Sequence, residues 1–153
     1  IDPPMHTAEH ILNQAVVRSL GCERCFSAHI EKKKSKCDYH VAAPPTPEQI
    51  QAIEAEVNRV ICDDLIVAEI TLSREDAARQ FNLQRLPRTA GETIRIVRVG
   101  DYDACPCIGA HVDRTGELGA FRITTWDAAD GVLRIRFKLS RPAPVTALNP
   151  LDN

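Results

Sequence analysis

Two short words hold side chains that could do chemistry together: His6-Thr7-Ala8-Glu9-His10 near the start, and Cys107-Ile108-Gly109-Ala110-His111 about a hundred residues later. Each places two metal-binding groups four residues apart, and residues at i and i+4 share one face of a helix. Together they offer three imidazoles and one thiolate, a nitrogen and sulfur set that suits zinc. His6, His10, Cys107 and His111 are therefore the candidate metal ligands and catalytic residues. If one coordination position stays open, zinc polarises a carbonyl and lowers the pKa of its water to about 7. Four protein ligands would close the site and favour a structural role. The sequence leaves the choice between the two open.

Two rival patterns use neighbouring residues. His6-Thr7-Ala8-Glu9-His10 also reads as H-x-x-E-H, the inverted zinc-peptidase word, with Glu9 as general base. It ranks lower, because Glu9 lies about 100° around the helix from His10 and the remaining pair is Cys/His rather than a carboxylate. A second small zinc site could draw on Cys22, Cys25, His29, Cys37 and His40, although their spacing is irregular.

Elements must bring the two words together. Ala8, Ile11, Leu12, Ala15 and Val16 form an apolar stripe, predicting a helix over His6–Leu20 that Gly21 ends. His6 and His10 fall roughly opposite that stripe, where core packing does not account for them. Residues 25–30 and 37–42 read as strands around a lysine-rich turn. Thr46-Pro47-Glu48-Gln49 supplies an N-cap, a proline at the first helical position and a capping-box glutamine. Ile50, Ile53, Val57, Val60 and Ile61 carry that helix to near Asp64. A strand over 65–72, a short helix capped by Ser73, a loop over 83–92 containing Pro87 and Gly91, and a strand over 94–99 come next. Strands over 121–126 and 132–139 meet at an Asp130-Gly131 turn; in the second, Leu133, Ile135, Phe137 and Leu139 alternate with Val132, Arg134, Arg136 and Lys138. The order predicts an α+β fold: two longer helices packed on a mostly antiparallel β-sheet in a single two-layer domain.

With 153 residues the chain has enough apolar sequence for one core without disulfide staples. Residues 1–4 read as an expression remnant ahead of Met5, 5–140 as the domain, and 141–153 as a proline-rich tail beginning around Ser140. No leader and no membrane-length apolar run is visible, so a cytoplasmic protein with reduced thiols at its six cysteines is expected. A formal charge of −2 argues against a globally basic nucleic-acid coat. Lys32, Lys33, Lys34 and Lys36, the pair Arg95 and Arg98, and the row Arg134, Arg136 and Lys138 remain as local phosphate candidates, unranked.

The two words, followed by Thr115-Gly116-Glu117-Leu118-Gly119, resemble the editing domain shared by alanyl- and threonyl-tRNA synthetases, including its stand-alone alanyl-tRNA editing (AlaX-like) form. The similarity runs from Met5 to about Leu139 and takes in Ile53-Glu54-Ala55-Glu56-Val57-Asn58 and the strand from Ile94 to Val99. It implies a trans-editing deacylase acting on mischarged tRNA, most typically serine on tRNA for alanine, with His6, His10, Cys107 and His111 as metal ligands and Gly109 and Ala110 at the substrate. In the threonine branch the same positions can serve without a tightly held metal. Such an enzyme answers a physical need, since a small alanine pocket rejects an added hydroxyl by only ~10²-fold. One departure stands out: the family reads Cys-Gly-Gly-Thr-His where this chain has Cys107-Ile108-Gly109-Ala110-His111. A zinc-dependent hydrolase of another small ester or amide, and a non-catalytic zinc-stabilised binding module, are the alternatives.

Overall fold

A computed structural model describes residues 1–84, 86 and 91–140. Eleven short elements follow the chain: α1 (Pro3–Leu20), β1 (Ser27–His29), β2 (Ser35–His40), α2 (Pro47–Cys62), β3 (Val67–Ser73), α3 (Arg74–Gln80), β4 (Thr93–Val99), β5 (Asp103–Pro106), a 3-10 turn (Thr115–Leu118), β6 (Ala120–Ala129) and β7 (Val132–Ser140). The fold is α+β, and its strands divide into two antiparallel sheets rather than one. Sheet order is β1-β2-β7-β6 in the larger and β3-β4-β5 in the smaller.

Helix α1 starts earlier than its apolar stripe suggests. Asp2 accepts the Met5 N–H at 3.1 Å and Pro3 sits in the first turn, so the stop at Gly21 (φ 70°) closes an 18-residue helix. Both ends of α2 behave as read: Thr46 and Gln49 exchange hydrogen bonds of 3.1 and 2.8 Å in a reciprocal capping box, and the helix closes at Cys62 beside Asp64. The buried residues of α2 are Ile50, Ile53, Val57, Val60 and Ile61, the set named by periodicity.

Strand β7 shows the expected two-faced pattern. Leu133, Ile135 and Phe137 are fully buried in the core shared with α1 and α2, while Arg134, Arg136 and Lys138 lie on the outer face. The β6–β7 turn has positive φ at both central residues, Asp130 (54°) and Gly131 (79°), as a two-residue hairpin requires. Strand β6 runs through Ala129, beyond Trp126, because register with the long β7 continues to the turn. Strand β5 has no alternating pattern of its own and exists by pairing with β4. Ser140 belongs to β7; the tail from 141 and Pro87 of the predicted loop lie outside the described residues.

Candidate metal centre

Four donors from opposite parts of the chain meet where α1 passes beneath the segment after β5. Suitable ligand atoms of His6, His10, Cys107 and His111 all lie within 4.8 Å of one another, so this cluster could hold a metal ion. Cys107 Sγ is 3.3 Å from His6 Nε2 and 3.5 Å from His111 Nε2. A tetrahedral zinc ion would separate nitrogen and sulfur ligands by about 3.5 Å, so these spacings fit. Among the described residues, buried His10 Nδ1 has no hydrogen-bond partner and lies on the side of the ring that faces Asp103.

The helix brings His6 and His10 to one face, but that face is not open. Both are buried, because β5 and residues 107–111 cover it. The surface opposite the apolar stripe is thus a second, polar packing surface. His6 Nδ1–H donates to the Ala110 carbonyl at 3.2 Å, which leaves Nε2 facing the thiol. His111 Nδ1 is 3.0 Å from Thr7 Oγ1, which also accepts the Val112 N–H at 3.2 Å. Thr7 is fully buried, one residue beyond His6 on the first turns of α1.

Behind His10 lies Asp103, with Oδ2 3.9 Å from His10 Nδ1. Arg24 binds this carboxylate through two nitrogens (2.6 and 3.3 Å), and the Gln14 amide donates at 2.9 Å. At that distance the carboxylate is not hydrogen-bonded to the ring, but it lies on the side from which a carboxylate would orient the imidazole. In the linear sequence Asp103 resembles any loop acid; only β4–β5 pairing turns it toward α1. Arg95 is a framework residue that spacing does not reveal. It donates to the Cys107 carbonyl at 3.2 Å and pairs with Glu69 at 2.7 Å, so it is not a free phosphate contact.

Burial sets the protonation of the cluster. It drives His10 well below the usual imidazole value, with His111 and Arg24 adding repulsion, and lowers His6 as well. His111 is pushed down to about 3, chiefly by burial and then by His6. All three rings are therefore neutral at pH 7 and have lone pairs to offer. Burial raises the Cys107 thiol, and a bound cation would reverse that preference. Cys105 is a different case. Burial pushes it up to about 11, its Sγ lies 3.4 Å from the Pro106 carbonyl, and it is not among the four converging donors.

Gly109 has a steric role in this arrangement. A Cβ there would sit 2.4 Å from His6 Cε1 and 2.6 Å from Nδ1, so the imidazole takes the space a side chain would fill. Ala110 gives its carbonyl to His6 and is itself exposed, while Ile108 is 68% exposed at the rim. Ile108 and Arg95, with Thr71, Thr93, Ile94 and Leu86, line a depression of about 190 Å³ beside Cys107. A larger hollow of about 470 Å³ against α3 contains none of the four donors.

The rival patterns fare differently. Glu9 accepts from Asn13 at 3.3 Å and from the Cys25 thiol at 3.8 Å, and its other oxygen is 3.8 Å from His6 Nε2. Cys22, Cys25, His29, Cys37 and His40 do not converge as a donor group among the described residues. Cys25 and Cys37 are core residues, His29 pairs with Glu31 at 2.8 Å, and His40 stacks on Phe26 with centroids 3.8 Å apart. Alternation along the β1–β2 hairpin sends those side chains to opposite faces.

The molecule is thus an α+β domain built around a three-imidazole, one-thiol cluster in which His6, His10 and Cys107 are buried and His111 is half-buried. Residues 94–136, which include Cys107 and His111, match the family described as "Threonyl and Alanyl tRNA synthetase second additional domain". The chain is 35% identical over 133 residues to an alanine–tRNA ligase of Coxiella burnetii, covering 85% of this chain and 15% of that protein. It is 36% identical over 146 residues to that of Thermofilum pendens (90% and 16%), and 32% over 149 residues to that of Fervidobacterium nodosum (96% and 16%). These matches tie residues 94–136 to the alanyl- and threonyl-tRNA synthetase second additional domain, and most of the chain to one part of alanine–tRNA ligases. It spans about one sixth of the length of the ligases it matches. Among the described residues, no helix is long and apolar enough to cross a membrane.

Proposed function

We propose that this protein is a zinc-dependent hydrolase that removes wrongly attached amino acids from tRNA in the cytoplasm, with serine on tRNA for alanine as its substrate. The convergence of His6 and His10 with Cys107 and His111, in a chain related to alanine–tRNA ligases, carries this proposal. The ion's protein ligands would be drawn from these four side chains, with one position left open to water. When bound, zinc supplies a Lewis acid and lowers the pKa of water toward neutrality. The Ala110 carbonyl and Thr7 hydroxyl fix the His6 and His111 rings, Asp103 faces His10 from behind, and the covering segment keeps bulk water from the rings. In the reaction, water adds to the ester carbonyl carbon, the bond to the ribose oxygen breaks, and the amino acid leaves the free tRNA end.

Selectivity for serine over alanine would come from polar groups that the serine hydroxyl satisfies and alanine leaves unpaired. The depression edged by Ile108 and Arg95 is where such a side chain would be sorted, with Gly109 and Ala110 forming the adjoining backbone.

The test is a deacylation panel: serine, glycine and alanine on tRNA for alanine, and serine on tRNA for threonine. Purified protein is expected to hold about one zinc per chain and to favour the seryl ester on tRNA for alanine. Cys107→Ala should lose the metal together with at least ~100-fold in hydrolysis, the scale of losing one part of a reacting unit. Full activity in that variant would remove Cys107 from the catalytic set. Cleavage of small esters without any aminoacyl-tRNA would point to a different substrate.

A further inference from the structure

We propose that one outer corner of the β1–β2–β7–β6 sheet, formed by Lys32, Lys33, Lys34, Lys36, Arg122 and Lys138, binds the phosphate backbone of RNA. This extends and rests on the tRNA reading, naming a second contact surface away from the metal cluster. Strand register builds the corner. Ser35 lies opposite Phe137 and Lys36 opposite Arg136, which brings the lysine-rich β1–β2 turn beside the end of β7. There Lys138 lies opposite Arg122 of β6. Directly opposed residues in an antiparallel pair share a face, and Phe137 is buried, so Lys36, Lys138 and Arg122 share the outer one.

The same register separates neutralised from free cations. Arg134 is bound by Asp38 at 2.8 Å and Arg136 by Asp127 at 3.1 Å. Glu31, the carboxylate of the turn, is hydrogen-bonded to His29 at 2.8 Å rather than to any of the lysines. Among the described residues, none of the six corner cations is in an ion pair. On a chain whose formal charge is −2, six cations outside ion pairs in one corner, with Glu31 and Asp38 as the acids beside them, leave that corner net positive.

Two observations favour RNA over an anionic membrane. No exposed large hydrophobic side chain among the described residues sits in this corner: Ile66, Ile70 and Ile108 belong to the other sheet and its flanks, Phe26 precedes β1 at the end away from the turn, and Ile1 precedes α1. A membrane-surface site would add apolar anchors to its lysines. The corner is also tied to the metal cluster. The start of the hairpin is pinned to α1 by Cys25 N–H to Asn13 Oδ1 (3.1 Å) and by the Cys25 thiol to Glu9 (3.8 Å), next to His10. The eight residues from Cys25 to Lys32 are seven steps of chain and span at most ~25 Å. An RNA stem with its end at the cluster would therefore have this turn within reach. Lysine contacts to phosphate position the RNA without reading its sequence.

The experiment measures binding of uncharged tRNA transcript by fluorescence anisotropy from 50 to 300 mM KCl. The probe has no aminoacyl ester, so its binding is read whether or not the protein hydrolyses anything. The native protein should bind with an affinity that falls steeply with salt. Lys32→Ala/Lys33→Ala/Lys34→Ala, and separately Arg122→Ala/Lys138→Ala, should weaken binding at least tenfold at 0.1 M salt. Each phosphate left without its cation should flatten the log–log slope by about one. Circular dichroism checks that these surface variants keep the native fold. Unchanged affinity and slope in both variants would overturn the proposal. So would absence of RNA binding by the native protein, or binding to phosphatidylserine vesicles in its place.

Discussion

At the residue scale, the geometry of the four donors depends on groups that are not among them. His6 can present Nε2 because the Ala110 carbonyl holds the opposite nitrogen, and the ring has room because Gly109 lacks a Cβ. Gly109→Ala is therefore expected to push the imidazole off its position rather than unfold the chain. Zinc affinity should fall at least tenfold, the scale seen when the group that orients a metal ligand is removed. The melting temperature of the metal-free protein should change little, since the displaced atoms are the end of one side chain. Competition with a chromogenic chelator measures the first and a thermal melt the second. Native zinc affinity in this variant would mean the ring relaxes without cost. The histidine and cysteine donors of the two words are visible from spacing alone. The supporting roles of Thr7 and Asp103 are not, because each depends on a contact across roughly a hundred residues of chain.

At the scale of elements, α2 is the part that locks the sheet to the site. Asn58 uses its side-chain amide as an extra piece of strand: Oδ1 accepts the Phe121 N–H at 2.8 Å and Nδ2 donates to the Phe121 carbonyl at 2.9 Å. Glu54 accepts the Ile123 N–H at 2.7 Å, so the edge of β6 is paired by a helix instead of lying bare. Asn58→Ala leaves both Phe121 backbone groups without these partners and should cost about 2 kcal/mol. Urea denaturation checks this; a shift below half that value would mean water replaces the amide. At the other end of α2, Thr115 Oγ1 accepts the Leu65 N–H (2.8 Å) and donates to the Val60 carbonyl (2.9 Å). Gly116 lies so close to Asp64 that a Cβ would be 2.5 Å from its Oδ1. The Thr115–Gly119 word, which carries family resemblance in the sequence, is thus a latch between α2 and the segment that covers the histidines.

At the scale of the whole molecule, the fold holds three neutral imidazoles, two buried and one half-buried, and this couples stability to pH. Their folded values lie below the ordinary ~6.5 of the unfolded chain, that of His111 at about 3. Between those limits the unfolded state binds more protons, so stability rises with pH and is lost as pH falls. The metal-free protein should show a urea midpoint that is level above about pH 7 and drops steadily from about pH 6.5 to about pH 5, above the range where ordinary carboxylates titrate. A flat midpoint over that interval would show that the rings are not buried in the neutral form. Bound metal should protect against this loss down to the pH at which protons displace it.

What the sequence determined by itself is local. The α2 cap and its apolar stripe, the Asp130-Gly131 turn, the two faces of β7 and the presence of four suitable donors all follow from spacing along a single element, where side-chain period and backbone geometry act directly. The tertiary structure decided how separated parts meet. It buried the histidine face under β5, divided the strands into two sheets, sent the hairpin cysteines and histidines to different faces, and sorted neutralised arginines from free lysines. Each of these outcomes depends on which strands pair and in what register. Pairing is set by the joint burial of many side chains distant in sequence, so no single stretch of chain contains that information.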